Sequence, residues 1–173
     1  MTLNALLLDG YTRSPQPFLK WAGGKRRLLH EIRKFTPEFK GSYFEPFLGA
    51  GAVFFDQDIN RRKIVCDYNV HLIEVYEVIR DQPSELISLL RTHQNTEEHY
   101  YAIRGWDRDP DFLNRTKVER AARFIFLNKT TYNGLYRVNS KGLMNSPYGK
   151  PKNPDFIQEE IIKAVSHFLN SRD

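Results

Sequence analysis

The 173-residue chain has a single cysteine, Cys66. No disulfide can form within it and a thiolate-based zinc cluster is excluded, which suits a reducing cytosol. Long apolar runs are also missing. Leu6-Leu7-Leu8 stops at Asp9 with no basic stretch before it, too short for a signal peptide or a membrane span. A cytoplasmic protein without membrane contact or a metal is therefore expected. No internal repeat or low-complexity segment is present. Two nucleotide-binding signatures fail. Gly49-Ala50-Gly51 would need glycine at position 54 for a dinucleotide fingerprint, and Phe54 stands there. Gly23-Gly24-Lys25 would need glycine at position 19 and Ser or Thr after the lysine for a P-loop; the chain has Leu19 and Arg26. Nor is there any Pro-Pro pair.

What is present fits one globular domain with a real core: 40% hydrophobic and 27% charged residues. The net charge of +5 favours a polyanionic partner. The organising stretch is Phe44-Glu45-Pro46-Phe47-Leu48-Gly49-Ala50-Gly51. It reads as the end of a buried strand, a sharp glycine turn, and a helix opening on Ala52-Val53-Phe54-Phe55. Gly49 and Gly51 lack a Cβ, so a ligand can approach the backbone there, the usual place for a nucleotide-like ligand in an open α/β sheet. A second strand, Lys63-Ile64-Val65-Cys66, ends on Asp67-Tyr68-Asn69. Asp67 is placed either to accept hydrogen bonds from a ribose or to cap the helix beginning near Val70. The glycine turn upstream favours the ribose.

Residues 1–16 read as a loose arm. Helix follows at Leu28 to Phe35, with Lys25 able to meet a carboxylate. Leu72, Val75, Tyr76 and Ile79 share a helical face; Pro83 opens another helix. Trp106 to Asp111 reads as a solvated polar loop, without the Gly and terminal Glu of an EF-hand. A well-marked helix spans about Thr116 to Lys129, with Ala121, Ala122, Phe124, Ile125 and Leu127 inside. Residues 131–150 then read as a hairpin of two short strands turning near Ser140-Lys141-Gly142. Its mixture of aromatics, Asn, Arg and Lys is either base-edge and phosphate chemistry or scattered surface polarity. An amphipathic helix from Phe156 to Leu169 completes the pattern.

Four motifs occur in order: Lys20-Trp21-Ala22-Gly23-Gly24-Lys25, Phe44 to Gly51, Asp67-Tyr68-Asn69, and Tyr132-Asn133-Gly134-Leu135-Tyr136-Arg137. Together they resemble the Dam-type, D12-class DNA adenine-N6 methyltransferases, with most similarity to pneumococcal-type enzymes that modify GATC. The resemblance implies an α/β fold: a partial Rossmann-like S-adenosylmethionine domain with an inserted, mainly helical DNA-recognition module. Residues 17–70 would begin the cofactor domain, 71–155 would form the recognition module with hairpin 131–150, and 156–173 would return to the catalytic domain. Trp21, Lys25, Glu45, Phe47, Gly49, Gly51 and Asp67 would then hold the cofactor. Lys20, Tyr132, Asn133, Leu135, Arg137, Pro147 and Tyr148 would contact double-stranded DNA.

The family's catalytic tetrapeptide is Asp, Asn or Ser, then Pro-Pro, then an aromatic. Ser146-Pro147-Tyr148 echoes it with one proline, in the recognition hairpin and not at a strand end. No catalytic residue is therefore assigned. Adenine N6 is a weak nucleophile, so the flipped base must be gripped and stacked, with its amino group polarised by acceptors and the methyl in line. The expectation is an amino-terminal portion of such an enzyme, inactive alone and marginally stable. A second chain supplying the catalytic strands, a non-catalytic DNA-binding and cofactor-binding remnant, and an RNA methyltransferase are the alternatives.

Overall fold

The computed structural model describes residues 15–38, 40–57 and 62–171; most of the expected N-terminal arm, 1–14, lies outside them. After a 3-10 turn at Lys25–Leu28, helix α1 spans Leu29–Phe35. Strands β1 (Tyr43–Glu45) and β2 (Lys63–Val65) pair in parallel, in the register Tyr43↔Lys63, Phe44↔Ile64 and Glu45↔Val65. Five further helices follow: α2 (Val70–Asp81), α3 (Pro83–Leu90), α4 (Glu97–Gly105), α5 (Lys117–Thr130) and α6 (Glu159–Asn170).

Local signals explain the helix starts. The Asn69 side chain accepts from the amides of His71 and Leu72, both at 3.1 Å, and caps α2. Pro83 sits in the first turn of α3, where its missing N–H leaves no gap. Thr116 and Glu119 form a reciprocal capping box on α5; the Thr116 amide and hydroxyl hold the Glu119 carboxyl below its ordinary range. On α2, Leu72, Val75, Tyr76 and Ile79 are all buried, as their spacing requires.

Helix α5 is the central pillar. Every residue from Ala121 to Asn128 is buried, the signature of a helix covered on all sides. Helices α2, α3 and α4 pack against it, and α6 packs on α2 and α3. Phe18, Phe54, Leu72, Ile79, Leu90 and Ile125 join these elements in one core. A smaller cluster centres on Tyr100, Phe126, Met144 and Phe156. Among the described residues no helix is long and apolar enough to cross a membrane.

Several sequence expectations need correction. Strand β1 is not buried: Phe44 is 60% exposed, and among the described residues β1 pairs only with β2. Cys66 lies just past β2 and is exposed. The helix expected from Ala52 is a single 3-10 turn at Phe54–Asp56, because Gly51 is committed to a left-handed turn with φ +72°. The 131–150 hairpin exists, but its limbs meet only at isolated bridges, Thr131↔Tyr148 and Val138↔Met144. The last helix starts at Glu159, three residues late, because Gln158 adopts φ +44°. Trp106 to Asp111 is solvated only in part: it belongs to 3-10 turns at Trp106–Arg108 and Pro110–Asn114, Arg108 to Asp111 are exposed as expected, and the Asp107 side chain is only 9% exposed.

One buried pair gives the fold an acid sensitivity. The His93 ring stacks on Phe126 at 4.6 Å, and its Nδ1 lies 2.9 Å from Nε2 of His99. Burial, and secondarily His99, pushes His93 down to about 4, against about 6.5 in an unfolded chain. The native state therefore binds fewer protons than the unfolded state across that window, so stability falls as pH drops from about 6.5 to 4. The loss from this site should be on the order of 1–3 kcal/mol. Melting temperatures measured between pH 7 and pH 4 should decline less steeply in His93→Phe; parallel curves would exclude the pair as their source.

Candidate functional site

The turn after β1 is built by two glycines that no other residue could replace without strain. Gly49 has φ +53°, and a Cβ there would meet Trp21 Cδ1 at 3.0 Å. Gly51 has φ +72°, and a Cβ there would lie 2.8 Å from both the Phe55 ring and the Tyr76 hydroxyl. The Leu48 amide donates to Cys66 O at 2.9 Å, fixing the turn against the end of β2. Asp67 completes the tie. One carboxylate oxygen accepts from the Gly49 amide at 2.8 Å, the other from the Asn69 amide at 2.9 Å. Asn69, not Asp67, caps α2. A carboxylate oxygen has two acceptor positions, so each Asp67 oxygen retains one.

Around this turn lies a cleft of about 170 Å³ whose walls include Trp21, Lys25, Glu45, Phe47, Gly49 and Asp67. Six of the seven expected cofactor residues thus meet in one place. Gly51 does not line the cleft; it lies beneath, against Phe55 and Tyr76. Burial raises the Glu45 carboxyl, while the Tyr43 hydroxyl, donating at 2.7 Å, and the charge of Lys25 pull it partly back. Burial also holds the Tyr76 hydroxyl well above its ordinary range, with Glu45 and Asp67 adding to the effect. The cleft therefore combines a glycine floor, two aromatic walls, two carboxyl groups and one lysine. Among the described residues no group of three or more His, Cys, Asp or Glu side chains could hold a metal ion.

On the other side of Trp21, Gly23 and Gly24 opens a broader groove of about 740 Å³. Its walls carry four cations, Lys20, Arg26, Arg27 and Lys129, and no carboxylate. Such a lining suits a polyanion. Lys129 is held at about 8, chiefly by burial, and its ammonium donates to Gln158 Oε1 at 2.8 Å.

The hairpin stands beside this groove. Asn133 and Gly134 both take positive φ, and a Cβ on Gly134 would lie 2.2 Å from Lys20 Cδ. Lys20 therefore packs directly on the Asn133-Gly134 turn. Tyr132, Asn133, Leu135, Arg137 and Pro147 are exposed beside it. The Tyr132 amide donates to Pro147 O at 3.0 Å, and Arg137 Nε donates to Asn145 Oδ1 at 3.1 Å. Tyr148 is different: its hydroxyl is taken up by Asn95 Oδ1 at 2.8 Å and its ring packs on Tyr100.

Sequence reasoning missed two organising side chains. Asn128, fully buried, accepts from the Lys20 amide at 2.9 Å and donates to Lys20 O at 2.8 Å. Gln158 donates to Phe18 O at 3.0 Å. The available signal for Asn128 was an amide side chain at the end of the apolar run Phe124-Ile125-Phe126-Leu127; buried amides of this kind are kept where they satisfy backbone.

Comparison with known proteins matches this arrangement to a family. The profile of the D12 class N6 adenine-specific DNA methyltransferases covers residues 21–173, and the chain belongs to that family. A type II methyltransferase of Lactococcus lactis subsp. cremoris is 44% identical over 158 residues, 90% of this chain and 55% of the relative. A type II methyltransferase of Methanocaldococcus jannaschii is 40% identical, covering 90% of this chain and 60% of the relative. A DNA adenine methylase of Escherichia coli K12 is 38% identical, covering 89% of this chain and 55% of the relative. The chain thus spans little more than half the length of these relatives.

Removing the Asn128 amide would leave the part-buried N–H and C=O of Lys20 without this partner. Asn128→Ala should cost about 1–3 kcal/mol in denaturant unfolding. A loss within a few tenths of a kcal/mol would show that the tether is dispensable.

Proposed function

We propose that this chain is the cofactor-binding and DNA-reading part of an adenine-N6 DNA methyltransferase that uses S-adenosylmethionine. The observation that carries the reading is the segment Lys20 to Lys25, which serves as wall to both clefts and touches the hairpin. In this reading β1 and β2 are part of a Rossmann-like sheet. Residues 17–70 open the cofactor domain, the mainly helical 71–155 form the recognition module, and 156–173 return toward the sheet.

The cleft residues suit the cofactor. The acceptor positions left on Asp67 match a ribose diol, and Trp21 and Phe47 offer apolar surface to an adenine ring. Lys25 and Glu45 match the carboxylate and ammonium of an amino-acid end. S-adenosylmethionine supplies, when bound, an electrophilic methyl group. This chain's residues bind and orient it, and the cationic groove holds duplex phosphates. Tyr132, Asn133, Leu135, Arg137 and Pro147 face base edges, with Lys20 beneath, in a short site such as GATC. Gripping the flipped adenine requires the Pro-Pro tetrapeptide that this sequence lacks, so transfer calls for a second segment or chain to supply it. Phe47 at 75% exposure and Phe44 give that segment an apolar surface to cover.

Two measurements test the reading. Titration calorimetry should detect S-adenosylmethionine binding, and Asp67→Asn should weaken it about tenfold, since the asparagine amide replaces one acceptor with a donor. An unchanged affinity with the fold intact would confine Asp67 to pinning Gly49. For DNA, Arg137→Ala should cost about 1–3 kcal/mol on the preferred duplex and much less on a scrambled one if the guanidinium reads a base. Equal losses, with a salt slope reduced by about one, would make Arg137 a phosphate contact.

A further inference from the structure

The hairpin that carries Leu135 and Arg137 is weakly held by its own backbone. Val138↔Met144 is an isolated bridge, supported by the Asn145 amide on Arg137 O at 2.9 Å. Two-stranded hairpins of this size do not hold a register alone in water. Beneath it sits the buried pair Asp107–Arg123, with side chains 9% and 3% exposed. Arg123 Nη2 lies 2.8 Å from Asp107 Oδ2, and the same oxygen accepts from the Met144 amide at 2.7 Å. On the other limb, the Tyr136 ring stacks on Phe124 of α5 at 4.2 Å, and the charge of Arg123 acts on its hydroxyl. Arg123 is itself fixed: Nε donates to Ile103 O at 2.9 Å and Nη2 to Arg104 O at 2.8 Å. The pair therefore holds one limb at Met144, where Arg108 also donates to the carbonyl at 2.7 Å, and Arg123 lies beside Tyr136 on the other, so that both limbs are referred to α4 and α5.

We propose that Asp107 and Arg123 are positioning residues for sequence readout: the pair sets the relative slide of the two limbs and thereby the place of Leu135 and Arg137 against the bases. The inference rests on the base-reading role proposed for Arg137. Neither residue is exposed enough to touch DNA, so the effect passes through the hairpin. The carboxylate is required because it accepts simultaneously from a guanidinium and a backbone amide. An asparagine at 107 can accept from both but brings no charge, and its NH2 group faces donors.

The test uses the full chain and two duplexes: the one it prefers, GATC or the best of a randomised pool, and a scrambled control. Asp107→Asn should lower the affinity ratio between them about tenfold, while affinity for the scrambled duplex and its salt slope stay within twofold. In an Arg137→Ala background the same substitution should change the ratio by less than twofold, because coupled residues are not additive. Tyr136→Phe, which removes only the hydroxyl beside Arg123 and keeps the ring stacked on Phe124, should lower the ratio in the same direction without unfolding the chain. Hydrogen exchange at the Met144 amide should accelerate at least tenfold in Asp107→Asn relative to the α5 amides. A wild-type chain that binds all duplexes alike removes the base-reading assignment, and this proposal with it. A chain that discriminates, but whose ratio ignores Asp107→Asn and Tyr136→Phe, keeps that assignment and overturns the positioning role alone. Equal losses of affinity on both duplexes would mark the pair as purely structural and overturn it too.

Discussion

Asn128 holding the backbone of Lys20 is the contact on which the arrangement of the site depends. The two residues are 108 positions apart, and the backbone N–H and C=O of Lys20 are both satisfied by a single buried amide. Four residues earlier on α5, and so on the same side of the helix, Phe124 stacks with Trp21 at 6.1 Å. Helix α5 thus acts as a ruler: one side chain places Lys20, the other places Trp21, and the helix then runs directly into the hairpin. A cleft built from Trp21 to Asp67 and a surface built from Tyr132 to Pro147 are held in fixed register because both are measured off the same helix. Gln158 extends the tie to Phe18.

The glycine turn shows a second economy. Asp67 had two candidate roles, ribose acceptor or helix cap, and the structure adds one that neither anticipated. Its carboxylate joins the turn after β1 to the start of α2 by accepting from Gly49 and Asn69. This contact leaves acceptor positions open and fixes where they point, which is the condition a bound diol would need. Capping falls instead to Asn69, whose shorter reach to the His71 and Leu72 amides suits the task.

How much of this was legible follows from the range of each interaction. Helices α2, α3 and α5 were readable because their signals are local: Asn69, Pro83 and the Thr116–Glu119 box sit within a turn of what they cap, and apolar spacing marks the buried face. The residues that line the cleft could be grouped beforehand because most of them cluster in three short motifs. Burial of β1 was not, since Tyr43-Phe44-Glu45 looks the same whether its apolar side is covered or bare. The Ala52 helix failed because a left-handed glycine and the crowding of Phe55 against Tyr76 break the helical path. The hydrogen bond of the Tyr148 hydroxyl to Asn95 was not legible, because nothing near Tyr148 in sequence announces a partner 53 residues away.

The loop reading of Trp106 to Asp111 fails at Asp107 alone, and the reason is one of charge and not of pattern. A run of acids and arginines is normally solvated, since an isolated carboxylate is costly to bury. Asp107 escapes that rule through its neighbour Arg108 and a distant partner, Arg123, buried on α5 among Ala121, Ala122, Phe124 and Ile125. A buried ion pair adds little net stability over an apolar pair of the same shape, so stability alone gives no reason to keep it there. What it does supply is direction: Arg123 donates to the Ile103 and Arg104 carbonyls, and Asp107 accepts from the Met144 amide while pairing with Arg108, contacts that an apolar pair would leave unmade. An arginine inside an apolar helix face is therefore a sign that some remote segment is being held at a fixed position. Here that segment is the hairpin, whose own bridges are too few to hold it.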